Sequence, residues 1–143
     1  MRVRTRVGAY AVVVDDARLL LARLTEREGR RWTLPGGGID HCEAPEDAVR
    51  REVLEETGYA VEVEGLLGVD SLVVPAERRL DGAGTDLHHI RLVYRAHVVG
   101  GDLQDEVDGS TDQAAWLPLG DVRDLPRVTL VDRALAMSGQ LQH

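Results

Sequence analysis

The chain has 143 residues, 43% hydrophobic and 29% charged, which suits one globular domain over residues 1–143 with a core that needs no staples. Its net charge is −8, from 25 acidic residues against 17 basic ones that are all Arg; this excludes a broad polyanion-binding surface, and with it non-specific nucleic-acid binding. The lack of Lys excludes Schiff-base chemistry and a Lys-dependent phosphate loop, the lone Cys42 excludes an internal disulfide, and no apolar run is long enough to cross a membrane, so a cytoplasmic protein is expected.

In chain order, Arg2, Arg4 and Arg6 alternate with Val3, Thr5 and Val7, and Ala9–Val14 is apolar on both sides, as in a strand running from a sheet edge to its interior. Asp15-Asp16 predicts a turn and Arg18–Leu24 a second strand, together a hairpin. Thr25–Arg31 is a charged, exposed loop, and Trp32-Thr33-Leu34-Pro35 leads into Gly36-Gly37-Gly38. The glycines lack the spacing of a dinucleotide fingerprint; they suit close backbone approach to a ligand, with a carbonyl free to meet a metal.

The next segment predicts a helix. Pro45 suits its first position, Glu46 and Asp47 complement the positive end of the macrodipole, and Gly58 suits a left-handed C-terminus. Ala60–Val74 reads as one or two strands interrupted at Gly65 and Gly68, and Pro75–Leu87 as a polar connection. His88–Val99 alternates as a strand, with Ile90, Leu92, Tyr94, Ala96 and Val98 on one face. Gly100–Asp112 is an acidic loop, Ala115–Leu119 a short strand, and Val128–Gln140 a closing helix.

On the central helix, at about 100° per residue, Glu52 and Glu56 lie roughly 40° apart and Glu55 about 60° to the other side of Glu52. Val49 and Val53 form an adjoining apolar edge that can pack on a sheet. On an open surface such an acidic stripe costs little. In a cleft with an effective dielectric near 20, each pair at about 5 Å costs roughly 3 kcal/mol, which a hard divalent cation relieves most simply.

The spacing decides between these readings. Gly37, Glu43, Arg51, Glu52, Val53, Glu55, Glu56 and Gly58 match the Nudix box, G-x5-E-x7-R-E-U-x-E-E-x-G-U, where U is bulky and apolar. The chain thus resembles the MutT-like Nudix hydrolase family, with Tyr59 in place of the commoner aliphatic residue at the last position. The resemblance implies an α/β Nudix fold, a mixed β-sheet sandwiched between α-helices. It also implies hydrolysis of a diphosphate linkage in a small nucleotide-like substrate.

By position, Glu52, Glu55 and Glu56 would bind Mg²⁺ or Mn²⁺, with a carbonyl of Gly36 or Gly37 completing the shell. Glu52 would double as the base, and Arg51 and Glu43 would form a salt bridge between loop and helix. Glu106 and Asp112 are candidates for an additional base from a later loop, and Gln113 stands where relatives often have Glu. Substrate contacts are expected from Arg78, Arg91 and His89, with Arg79 and His88 beside them. A stacking platform for a base is limited to Tyr10, Trp32, Tyr59, Tyr94 or Trp116. Two other readings are a catalytically silent nucleotide sensor and, ranked last, a prenyl diphosphate isomerase; a homodimer through N-terminal strands is conceivable.

Overall fold

The computed structural model describes residues 3–78 and 86–139, apart from the side chains of Val3 and Arg78. Strand β1 (Val3–Val12) lies between β5 (Gly36–Gly38) and β7 (Asp86–Gly101), and β6 (Tyr59–Val74) completes the order β5-β1-β7-β6. The β1/β7 pair is parallel and the other two are antiparallel, so the sheet is mixed. In a second sheet β3 (Arg18–Leu24) pairs with β2 (Val14–Asp15), β4 (Trp32–Thr33) and β8 (Thr111–Pro118).

Helix α1 (Pro45–Thr57) and helix α2 (Thr129–Ser138) cover opposite faces. The period of two along β1 and on into β2 distributes the apolar residues: Ala9, Ala11 and Val13 join Ala48, Val49 and Val53 of α1. Tyr10, Val12 and Val14 join Leu130, Val131, Ala134 and Leu135 of α2. Leu20 and Tyr94 belong to the α1 core, Leu19, Leu21 and Val93 to the α2 core. Both faces are thus apolar along the middle of the sheets, as the unbroken run Ala9–Val14 demands.

Helix α1 begins with Pro45 in its first turn and an acidic pair, Glu46 and Asp47; Ala44 caps it without a side-chain hydrogen bond. It ends at Gly58, with φ 82° and its N–H donated to the Leu54 carbonyl. A side chain at Gly58 would meet the Asp102 carbonyl at 2.2 Å, so only glycine fits there. Val49 and Val53 are wholly buried, and each contributes about 1.5–3 kcal/mol by leaving water. That packing fixes the rotation of the helix and so aims its acidic stripe.

The interruptions expected at Gly65 and Gly68 are bulges within one continuous strand, β6, where the register against β7 shifts. Beyond the read segments, β8 starts at Thr111, and the loop before it contains Asp102 to Ser110. Among the described residues no helix is long and apolar enough to cross a membrane.

Candidate active site

Arg51 is the hub of the box. Its Nε and Nη2 donate to the two oxygens of Glu43 at 2.9 Å each, a bidentate pair. Nη2 also reaches the Gly38 carbonyl at 3.1 Å, and Nη1 donates to Glu52 Oε1 at 2.9 Å. Glu43 in turn accepts the Asp40 N–H at 3.0 Å. One guanidinium therefore ties the loop after β5 to the second turn of α1. These hydrogen bonds, Arg51 first, lower the Glu43 pKa to about 2.

The three glutamates of the stripe meet different surroundings. Glu56 is 1% exposed and accepts the Gly36 N–H at 2.9 Å. Burial pushes its pKa well above the usual carboxylate range against that bond, helped by the charges of Glu52 and Glu106. Glu52, with its side chain 16% exposed, is also raised, by burial first and Glu55 among the charges, against the pull of Arg51. Glu55 is half exposed, its Oε2 3.5 Å from Arg51 Nη1.

Among the described residues no three His, Cys, Asp or Glu side chains stand gathered as a metal cage. Each carboxylate is instead drawn to a protein donor: Glu56 to Gly36, Glu52 and Glu55 to Arg51. The donor chemistry suits a hard divalent cation all the same. It is all oxygen, and burial raises the pKa of two of the three carboxylates, Glu56 fully buried and Glu52 partly so. Gly37 leaves the room: a β-carbon there would lie 2.9 Å from the Glu52 carboxylate.

Two cavities border Glu52 and Glu56, and a third is lined by Glu55 and Glu106. A wider one of about 720 Å³ borders Arg4, Arg6, Gly38, Asp40 and Glu52. A smaller one of about 350 Å³ borders Arg6, Tyr10, Gly36, Glu56, His89 and Arg91. The structure thus brings Arg91 and His89 to the box. His89 Nε2 is buried without a hydrogen-bond partner, and the ring meets Tyr10 edge-on at 6.3 Å. Burial first, then Arg91 and Arg6, lower its pKa to about 4, so the imidazole is neutral. His88 points away and meets Ser71 at 2.7 Å. The Arg78 side chain and Arg79 lie outside the described residues.

Arg91, 5% exposed, donates through Nε to Asp70 Oδ2 at 2.8 Å, and its Nη2 donates to the same oxygen. Asp70 Oδ1 accepts from Arg133 Nη1 at 2.7 Å. Desolvation opposes the charge of Asp70, but the two arginines outweigh it and lower its pKa. Of the acids expected in the loop, Asp112 lies instead in β8 and accepts from Arg23 at 3.0 Å. Glu106 accepts from the Thr111 hydroxyl at 2.8 Å while its charge still acts on Glu56. Tyr10 is the aromatic residue that borders the smaller cavity; Trp32 and Tyr94 are buried in the cores, and Trp116 donates to the Tyr59 hydroxyl. Reading the sequence missed Arg6 and Asp70 as parts of the site.

Comparison with known proteins gives a match to the NUDIX domain over residues 4–136. An ADP-ribose pyrophosphatase of Methanocaldococcus jannaschii is 33% identical over 123 residues, covering 85% of this chain and 65% of its own. The human 8-oxo-dGDP phosphatase NUDT18 is 36% identical over 124 residues, covering 82% of this chain and 34% of its own. The chain likewise spans between 27% and 50% of the length of four other curated relatives. Among solved structures, a MutT Nudix hydrolase from Burkholderia pseudomallei is 30% identical with a TM-score of 0.73, covering 97% of this chain and 99% of its own. With the box motif, the fold around it and these matches in agreement, the chain belongs to the Nudix hydrolase family.

Proposed function

We propose that this chain hydrolyses the diphosphate linkage of a nucleoside diphosphate derivative, using a divalent cation. The observation that carries the proposal is the pair Glu52 and Glu56. Two acids on adjacent turns, one fully buried, border cavities on either side of a glycine strand that leaves room for them. Three unneutralised glutamates would repel a diphosphate.

Glu52, Glu55 and Glu56, with a carbonyl of Gly36 or Gly37, would hold Mg²⁺ or Mn²⁺. When bound, the cation supplies charge neutralisation and a more acidic water. Glu52 accepts the proton of the attacking water. Arg51, itself held by Glu43, fixes the direction of Glu52 and keeps the β5 loop docked on α1. The neutral imidazole of His89 lines the smaller cavity beside Tyr10, where it would meet the substrate. Names of relatives supply the substrate classes to try: ADP-ribose, an oxidised deoxyguanosine diphosphate and nucleoside triphosphates.

The test is a panel of those compounds with Mg²⁺ or Mn²⁺, following the phosphate-bearing products. Turnover of at least one, abolished by a chelator, is expected. Tight binding of a nucleotide without turnover of any would replace hydrolysis by a sensor role.

A further inference from the structure

We infer that Arg6 clamps the diphosphate of the substrate from the β1 side, across the boundary between the two cavities. The inference rests on the diphosphate reading above and deepens it. Arg6 borders both cavities, whereas Glu52 borders only the wider one, Glu56 only the smaller, and Glu55 a third beside Glu106. A diphosphate held along that ridge therefore lies where Arg6 stands.

Two of the other cations near the ridge are already engaged. Arg51 is bonded to Glu43 and Glu52, and Arg91 to Asp70. Arg6 makes no hydrogen bond or ion pair among the described residues, although it is close enough to Tyr10 and His89 for its charge to act on both. Its guanidinium lies across Gly38, with Nη2 3.2 Å from where a β-carbon of that glycine would sit. The glycine thus leaves space for a planar fork, and a guanidinium fork matches two oxygens of a phosphate. Arg4, two residues earlier on the same face of β1, borders only the wider cavity and serves as the control for a merely solvated arginine.

The experiment measures hydrolysis of ADP-ribose and a nucleoside triphosphate with Mg²⁺. It also measures calorimetric binding of inorganic pyrophosphate with Ca²⁺, for the wild type, Arg6→Ala, Arg6→Lys and Arg4→Ala, each checked for an unchanged melting temperature. Arg6→Ala is expected to raise KM and the pyrophosphate Kd by roughly 10- to 100-fold, the effect of losing one charge-assisted contact, with kcat changed less. Arg6→Lys should recover part of the loss, and Arg4→Ala should stay within about threefold of the wild type. Wild-type turnover with an unchanged KM in Arg6→Ala overturns the clamp and leaves the reaction standing. No turnover by the wild type overturns the reaction, and pyrophosphate then judges the clamp alone. Equal affinity in wild type and Arg6→Ala, or binding by neither, overturns it.

Discussion

The Glu52 carboxylate occupies the place where a side chain on Gly37 would go, its Cδ 2.9 Å and its Oε1 3.0 Å from that β-carbon position. The backbone of Gly37 is ordinary, so Gly37→Ala strains no dihedral and acts only by displacing the carboxylate. At Gly36 φ is 150° and a β-carbon would lie 2.4 Å from the Ala9 carbonyl. The two glycines should therefore separate activity from stability. Gly37→Ala should keep a near-wild-type melting temperature while kcat drops by about 10²-fold, as misplacement of about 1 Å does. Gly36→Ala should lower the melting temperature itself. Thermal melts beside steady-state rates check both.

Glu43 sets an acid limit on stability. Its folded pKa of about 2 lies below the 4.5 of a free glutamate, so the unfolded chain takes up the proton first. The stabilisation from its bonds to Arg51 and Asp40 is complete above pH 4.5 and is lost as pH falls towards 2. Glu43→Gln should melt below the wild type at neutral pH, and the gap should close through that window. Melting curves from pH 7 down to about pH 2 measure it. A gap independent of pH would contradict the assignment.

Asp70 and Arg91 are direct cross-strand partners on β6 and β7, both nearly buried. Removing the carboxylate alone leaves Arg91 as an uncompensated buried charge. Asp70→Ala should cost about 3–5 kcal/mol, read from chemical denaturation. Arg133→Ala, removing a half-exposed partner of the same acid, should cost about 1 kcal/mol or less.

The box helix was legible because its information is local. Seven fixed positions, filled by Gly, Glu and Arg, stand at set spacings, and Val49 and Val53 declare the buried edge on a period of 3.6. The alternation of β1 and of His88–Val99 was equally plain, and both are strands. Pairing was not legible. Asp70 looked like one more polar residue of an interrupted strand, since only the bulges near Gly65 and Gly68 bring it opposite Arg91. Arg6 resembled Arg4 because a period of two gives both the same face, and the parting of the cavities at Arg6 appears only once β5 is laid beside β1. Asp112 and Glu106 were equivalent loop acids until the β3/β8 register put Arg23 beside the first.

Calorimetric titration of Mn²⁺ into the wild type and into the Glu52→Gln, Glu55→Gln, Glu56→Gln triple variant tests the metal ridge most directly. Saturable binding is expected for the wild type, and at least about 10²-fold weaker binding for the variant, whose amides keep the shape and remove the charge. Equal affinity for the ion in the two proteins would contradict the metal role of the ridge.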